Sequence, residues 1–270
     1  MADYLGRDGF SFSDDFWENL DNTVNKSVSQ VLSGRKFLPF VFSGVEMQYT
    51  VIQGNNKEEE FQDGFVKTTN RKLVEIPQLY SDFWLNWRDL KTSEQFGTPM
   101  DFSPAINAAQ AIGKNEDKMI YYGVPSQGLD GLLTVKGSNN VPLSDWGTGE
   151  NAYADITKGI TALEQNGCFG PFYVIVSLDV YIQLQRIHEG TGLLESARIE
   201  KVLGNNIIKS VALKPKTALL VCASSYCMDL LVSQDIATSY LEAVDLNHHF
   251  RILETAILRI KKPSSIVVFK

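Results

Sequence analysis

The sequence predicts an α+β fold, in which helices and strands occupy separate stretches of the chain. Three observations support this prediction: an amphipathic helical pattern near the N-terminus, an alanine-rich helical pattern from about residue 103, and a succession of β-branched runs after residue 218. A chain of 270 residues is near the upper limit for one packed core. We therefore expect one elaborate domain or two closely joined ones.

The first element is an amphipathic helix that follows a polar arm, residues 1–12. Ser13 is a suitable N-cap, and Asp14 and Asp15 lie in the first turn, where the helix dipole favours acids. Gly34 is placed as the residue that ends the helix. Apolar residues recur every four positions, at Phe16, Leu20, Val24, Val28 and Leu32. This apolar stripe must pack against another part of the protein.

The second element is a long hairpin. Apolar and polar residues alternate in Val45–Val51, a charged turn follows at residues 54–64, and a second extended run covers Phe65–Ile76. A two-stranded hairpin has too few apolar residues for a core of its own. We therefore expect it to pack on another chain.

The third element is a long helix, with Ser103 as its N-cap, Pro104 in its first turn and Gly123 after its end. Gly113 is a weak point within this spine. A loop is predicted over residues 124–150, with one short strand at Leu132–Val135. Further helices are expected at Tyr153–Gln165 and Val180–Ile187, and strands at Phe172–Ser177, Ala218–Ala223, Leu230–Tyr240, Phe250–Ile260 and Ile266–Phe269.

The composition argues against several classes of function. A net charge of −7 and a pI of about 5.1 supply no dense cationic face for nucleic acid. No run of eighteen apolar residues exists and the N-terminus carries no signal pattern, so neither a membrane partner nor secretion is predicted, and we expect a cytoplasmic location.

Catalytic and metal-binding patterns are also missing from the sequence. The histidines, His188, His248 and His249, lack zinc-hydrolase spacing, and no nucleophile elbow or phosphate-binding loop is present. The cysteines, Cys168, Cys222 and Cys227, are interpreted as reduced packing residues. We predict no metal site and no enzymatic activity.

Five segments, taken in order, resemble one protein family. They are Phe16–Asn22 with the following Leu32–Phe37, then Tyr122–Leu133, Gly170–Val176, Gln234–Ala237 with Tyr240, and finally Glu254–Ile260 with Pro263–Lys270. Together they resemble the family-1, linocin-like encapsulins, the shell proteins of self-assembling nanocompartments. These proteins are related to tailed-phage major capsid proteins, so the resemblance implies an HK97-type phage capsid fold.

The resemblance implies a division of the chain into four parts. Residues 1–43 would form the N-terminal arm and amphipathic helix, and residues 44–78 the E-loop, which crosses to a neighbouring subunit. Residues 79–125 and 230–270 would form the P domain with its spine helix. Residues 126–229 would form the A domain.

The implied function is to enclose other proteins. Such subunits assemble into icosahedral homo-oligomers, here expected to have sixty subunits (T=1), around cargo such as ferritin-like iron-storage enzymes or peroxidases. Cargo docks through a C-terminal targeting peptide. The family's docking positions match Val24, Val28, Leu32, Arg35, Asp235 and Ile236. The alternative, that Val24, Val28 and Leu32 are only core residues, stays open.

Two further sites follow from the resemblance. The loop formed by His188, Glu189, Gly190, Thr191 and Gly192 matches the loop that lines the five-fold pore, although ordinary loop chemistry also explains these residues. Some relatives bind a flavin on a tryptophan and a tyrosine. Trp87 lies near the tryptophan position, but the tyrosine position falls at Gly192-Leu193, so we predict no flavin and no other cofactor.

A second function remains open from the sequence alone. A viral or prophage major capsid protein of the same fold would package DNA in its lumen. Basic residues in the lumenal N-terminal segment would favour that function, and the acidic residues found there favour the encapsulin.

Overall fold

A computed structural model describes residues 4–9, 12–45, 47–52, 59–68, 72–188, 190, 192–204 and 206–270. The helices are α1 Asp14–Val31, α2 Trp87–Phe96, α3 Ser103–Tyr122, α4 Asn151–Gln165, α5 Leu178–Gln183 and α6 Glu195–Leu203. The strands are β1 Phe40–Phe42, β2 Tyr49–Ile52, β3 Glu59–Gln62, β4 Phe65–Thr68, β5 Lys72–Glu75, β6 Gln78–Leu85, β7 Asn139–Val141, β8 Phe172–Val176, β9 Ile207–Lys209, β10 Ala218–Cys222, β11 Met228–Val244, β12 Asn247–Ile260 and β13 Ile266–Phe269.

The first sheet has the strand order β1-β11-β12-β6. Its centre is the long antiparallel pair β11 and β12, closed by a two-residue turn in which Asp245 and Leu246 have φ values of 49° and 68°. Helices α1 and α3 pack together over this sheet. The shared core contains Leu20 of α1, Ile112 of α3 and Phe250 of β12, each fully buried. The amphipathic stripe predicted for α1 is therefore buried within its own chain.

The second sheet has the strand order β7-β13-β10-β8-β9, with α4 and α6 packed on it. Every residue of β10 is buried, as its continuous apolar run predicts. The C-terminal strand β13 pairs with β10 in this sheet. The end of the predicted P-domain range, residues 261–270, thus lies with the A-domain strands, because Ile266–Phe269 completes their sheet.

The hairpin region consists of two short antiparallel ladders, β2 with β5 and β3 with β4. Its tip is the two-residue turn Asp63-Gly64, with φ values of 52° and 82°. The predicted charged turn, residues 54–64, is too long, because Glu59–Gln62 is a strand. The predicted strand at Val45–Val51 begins only at Tyr49. That this hairpin packs on another chain stays a prediction.

The turn after α1 differs from the prediction. Ser13 caps the helix as expected, its hydroxyl accepting a hydrogen bond from the amide of Phe16. The helix ends at Val31, however, and Gly34 opens a short 3-10 helix, Gly34–Lys36. A Cβ atom at Gly34 would lie 2.3 Å from Cδ1 of Ile120 in α3. The glycine is needed for close approach between two helices, not for a left-handed cap.

Other boundaries are corrected by packing. Helix α3 runs unbroken through Gly113, and Ser103 is its first helical residue, not its cap. The predicted strand Leu132–Val135 is a turn, and the strand in that region is β7. Five further elements that the structure describes were not predicted: β1, β6, α2, α6 and β9. Within the described ranges, no helix is both long and apolar enough to span a membrane.

Candidate functional site

A groove with a volume of about 290 Å³ lies between the C-terminal half of α1 and strand β11. Its lining residues are Asn25, Val28, Ser29, Leu32, Arg35, Lys36, Asp235 and Ile236. Five of the six residues predicted to dock a cargo peptide are among them. The sixth, Val24, is 2% exposed and belongs to the core under α1.

The floor of the groove is formed by core residues. Val28 is 2% exposed and Leu32 is 6% exposed, and both pack in the core shared by α1 and α3. Each residue is therefore a core residue that also borders the groove, and its contact with a cargo peptide stays a prediction. Asn25 and Ser29 are exposed and form a polar rim along α1.

The opposite wall of the groove results from an irregularity in β11. Gln234 pairs with Thr255, but the next pair is Ala237 with Leu253, so β11 contains one extra residue at this point. This bulge removes Asp235 and Ile236 from the regular ladder. The side chain of Asp235 is 53% exposed beside the groove, and its carboxylate accepts a hydrogen bond from the amide of Ile236. A β-bulge thus presents these two side chains to the groove.

Arg35 connects the groove to the interior through three carboxylates. Its Nη1 atom donates to Asp235 at 2.8 Å, its Nη2 atom to Glu254 at 2.5 Å, and its Nε atom to Glu116 at 3.0 Å. The side chains of Glu116 and Glu254 are completely buried. The planar guanidinium group suits this multiple pairing, since it presents five donors in a fixed geometry.

The electrostatics of this cluster are unusual. Burial raises the pKa of Glu116, although Arg35 acts in the opposite direction. Burial raises the pKa of Glu254 further, and the nearby charge of Glu116 adds to that rise. Burial lowers the pKa of Arg35, but the two carboxylates more than offset it, so its pKa is raised. Arg35 is therefore a fixed positive charge that holds two buried acids beside the groove.

A second polar cluster holds the turn that carries Arg35. The carboxylate of Asp117 in α3 accepts hydrogen bonds from the amides of Ser33 and Gly34 and from the Ser33 hydroxyl, at 2.6–3.1 Å. The Ser33 hydroxyl also contacts the hydroxyls of Tyr121 and Ser210. These contacts fix the chain direction between α1 and Arg35.

The predicted pore loop is held by a chain of charged groups. His188 Nε2 lies 2.7 Å from a carboxylate oxygen of Glu150, whose other oxygen accepts from Arg198 at 2.8 Å. The amide of Gly190 donates to His188 Nδ1, and Gly192 adopts a φ of +67°. Glu189 and Thr191 lie outside the described residues.

Trp87, the tryptophan considered for a flavin, and the nearby Trp84 both have neighbours within the chain. Trp84 stacks on His249 with ring centroids 4.1 Å apart and planes 5° apart. Trp87 borders a separate cavity of about 540 Å³ at the other end of α1, with the guanidinium of Arg88 5.5 Å from its ring centroid. Phe12, Phe16, Leu90, Met100 and His248 also line that cavity.

Sequence reasoning missed part of the site. Asn25 and Ser29 each lie one helical turn before Val28 and Leu32 and could have been found from that spacing. Lys36 lies beyond the end of α1, next to Arg35. Glu116 and Glu254 could not have been found in this way. They come from α3 and β12, and nothing local indicates that two isolated acids share one arginine.

Comparisons with known proteins agree with this architecture. Residues 2–257 match the family described as "Encapsulating protein for peroxidase". The chain is 34% identical over 275 residues to the type 1 encapsulin shell protein EncA of Myxococcus xanthus, with 98% of this chain and 96% of that protein covered. It is 31% identical over 264 residues to a diheme-cytochrome-encapsulin shell fusion protein of Kuenenia stuttgartiensis, with 93% and 71% covered.

Solved structures support the fold. The virus-like particle of Pyrococcus furiosus matches with a TM-score of 0.78 at 23% identity, covering 95% of this chain and 100% of that one. The capsid of the Myoviridae phage XM1 matches with a TM-score of 0.62 at 13% identity, covering 87% and 90%. The predicted HK97-type capsid fold is confirmed. Because the family match extends over nearly the whole chain and relatives exceed 30% identity, this chain belongs to the encapsulin shell protein family.

Proposed function

We propose that this chain is the shell subunit of a cytoplasmic encapsulin nanocompartment that assembles into a closed icosahedral cage of sixty subunits (T=1). Its cargo would be a ferritin-like iron-storage enzyme or a peroxidase. Membership of the encapsulin family supports a shell-forming role. The family's description as an encapsulating protein for peroxidase supports the second kind of cargo.

Exposed apolar side chains support assembly through the hairpin. Tyr49 and Leu73, on the paired strands β2 and β5, are 53% and 67% exposed in the single chain. Phe40 and Phe42 of β1, the edge strand beside the hairpin, are also largely exposed. We propose that these four side chains belong to one apolar surface of the kind that a subunit interface covers. In the proposed shell the hairpin covers this surface by lying on a neighbouring subunit.

The groove beside α1 is the proposed docking site for the cargo peptide. The observation that supports it best is the combination of an apolar floor, Val28 and Leu32, with Arg35 and Asp235 at one end. An extended apolar peptide would bury its side chains on that floor. The charged pair would set its register, and Asn25 and Ser29 would bond its backbone.

Assembly is tested by electron microscopy and light scattering of the purified protein. The proposal requires closed, uniform particles whose mass corresponds to sixty chains. A stable monomer would refute the shell function, and a larger uniform particle would refute only the T=1 assignment. Nuclease-protected DNA inside the particles would replace the encapsulin function with that of a viral capsid.

Cargo docking is tested with a substitution that fills the groove without disturbing the core. Charged residues at Val28 or Leu32 would unfold the subunit, because both are buried. Ser29→Arg places a large side chain on the exposed rim. Gln30→Arg is the matched control, since Gln30 is exposed on the same helix and does not line the groove.

The readout is co-purification of a reporter protein that carries the C-terminal segment of the enzyme encoded beside the shell gene. We expect Ser29→Arg shells to be intact and to lose most of the reporter, while Gln30→Arg shells load it normally. Equal loading of the two variants would show that the peptide docks elsewhere.

A further inference from the structure

The chain has three cysteines, and the fold brings all of them together. Cys168 follows α4, Cys222 is the last residue of β10, and Cys227 precedes β11. All three are 0% exposed, and their sulfur atoms lie within 4.8 Å of one another. The sequence interpretation of these residues as separate packing residues overlooked this cluster, because Cys168 lies more than fifty positions from the other two.

Packing alone does not explain the arrangement. A buried cysteine that only fills space can face any apolar neighbour, whereas these three come from different segments and face each other.

We propose that Cys168, Cys222 and Cys227 form a three-thiolate site for a soft d¹⁰ metal ion, and that Cu⁺ is the ion that fits it. Binding releases the three thiol protons and leaves all three sulfurs coordinated. Metal–sulfur bonds of about 2.3 Å place three coplanar sulfurs about 4 Å apart. The spacing in the structure is compatible with this value, so the backbone need not rearrange.

The number of donors selects the ion. Among the described residues, no histidine, cysteine or carboxylate joins these three cysteines as a fourth ligand. A structural zinc ion requires four ligands, whereas thiolates select Cu⁺ among the soft ions and three of them complete a trigonal shell. The cluster lies near the surface, since Phe169 and Tyr226, next to Cys168 and Cys227 in the chain, are 77% and 51% exposed in the single subunit.

The position of the cluster indicates what the metal would do. Cys222 ends a strand of the second sheet, and Cys227 is followed directly by β11 of the first sheet. The ammonium of Lys262 donates to the Asn166 carbonyl at 2.6 Å, close in the chain to Cys168. A bound ion would therefore connect the two sheets where the chain passes from one to the other. The Lys262 ammonium would supply a positive charge near this point.

The test titrates the intact, fully reduced protein with Cu⁺ under anaerobic conditions, against a chelator of known affinity. We expect one Cu⁺ per subunit, sulfur-to-copper charge-transfer absorption and a raised unfolding temperature. Each of Cys168→Ala, Cys222→Ala and Cys227→Ala should lower the affinity by at least about 100-fold. Ser225→Ala is the control, since Ser225 is exposed in the same turn and should bind Cu⁺ normally.

X-ray absorption of the wild-type protein keeps the proposal testable if a cysteine variant fails to fold. Three sulfur neighbours at one distance support the site, and nitrogen or oxygen ligands overturn it. Absence of stoichiometric binding, or unchanged binding by folded cysteine variants, overturns it as well. A parallel titration with Zn²⁺ tests the choice of ion, which is refuted if Zn²⁺ displaces Cu⁺ at equal concentration.

Discussion

The Nε atom of Arg35 lies 3.0 Å from both carboxylate oxygens of Glu116 in α3. The same guanidinium also bonds Glu254 of β12 and Asp235 of the β11 bulge. One side chain thus joins the turn after α1 to a helix, a strand and the wall of the groove. Because Glu116 and Glu254 are completely buried, the stability of the subunit and the shape of the groove both depend on Arg35.

Arg35→Ala should destabilise the subunit strongly. Removing the shared cation leaves two buried carboxyl groups with no positive charge beside them, which costs about 3–5 kcal/mol. Arg35→Lys should be intermediate, because an ammonium cannot bond three carboxylates in the same geometry. Unfolding in guanidinium chloride, followed by tryptophan fluorescence, measures the loss. Arg88→Ala, at an exposed arginine, should change stability by no more than about 0.5 kcal/mol. An equal loss of stability in Arg35→Ala and Arg88→Ala would contradict this role of Arg35.

The pH dependence of stability should change in Glu254→Gln. Burial and the charge of Glu116 raise the pKa of Glu254 well above 4.5 in the folded state. The fold therefore favours the protonated acid. The resulting stabilisation is complete at pH values below the unfolded-state pKa of Glu254, and it is lost as pH rises through the folded-state pKa. Glu254→Gln stays neutral and should lose less stability than the wild type as pH rises from about 5 to 8. Glu94→Gln, at an exposed site, should show the pH dependence of the wild type. If the stability of Glu254→Gln changes with pH in parallel with that of the wild type, Glu254 does not have this role.

Two glycines at one helix contact should respond in opposite ways to alanine. At Gly34 a new Cβ would lie 2.3 Å from Ile120 Cδ1 and 3.3 Å from the Asp117 carboxylate, so Gly34→Ala should destabilise by about 1–3 kcal/mol. At Gly113 the nearest atoms, on Val31 and Val28, would be 3.5–3.6 Å away. Gly113→Ala should therefore stabilise α3 by about 0.5–1 kcal/mol. Thermal unfolding of the two variants tests the pair, and destabilisation by both would mean that α1 and α3 pack more closely than described.

The difference between Ser13 and Gly34 shows which parts of the fold the sequence can predict. Ser13 is a cap because of the residues that follow it directly, so the start of α1 could be predicted. Gly34 is required by Ile120, which lies far along the chain, and its role was therefore misassigned. Strand β6 was missed for a related reason. Its side chains are exposed at every second position, and the others range from partly to fully buried. Its place at the sheet edge follows from pairing with β12.

The candidate site divides in the same way. The resemblance supplied Arg35 and Asp235, which the structure places 2.8 Å apart although 200 positions separate them. Glu116 lies in an alanine-rich helix and Glu254 in an apolar strand, and neither position indicates an ion pair. Three sparse cysteines likewise gave no metal-ligand spacing. Contacts that depend on the packing of distant elements cannot be predicted from the sequence and are seen only in the folded structure.

The predicted pore loop should loosen when its acidic anchor is removed. Glu150 bonds both His188 and Arg198, and hydrogen bonding from Arg198 lowers the pKa of this carboxyl, so it is ionised at neutral pH. Glu150→Gln should leave the unfolding temperature nearly unchanged, because these bonds are exposed. It should, however, speed hydrogen exchange at Gly190 and Gly192 several-fold. Glu164→Gln, at an exposed position in α4, is the control. Unchanged exchange in Glu150→Gln would show that the loop is held by its backbone bonds alone.

Leu73 offers a direct test of assembly through the hairpin. It is 67% exposed in β5, and its burial against a neighbouring subunit would contribute about 2 kcal/mol per contact. Leu73→Asp removes that contribution and places a charge in the interface, so we expect folded subunits that fail to form shells at concentrations where the wild type assembles. Gln48→Asp, at an exposed polar position just before β2, adds the same charge without removing apolar surface and should still assemble. Light scattering and electron microscopy distinguish the two outcomes. If Leu73→Asp shells form at the wild-type concentration, β5 does not lie in the interface, and the apolar surface of the hairpin needs another explanation.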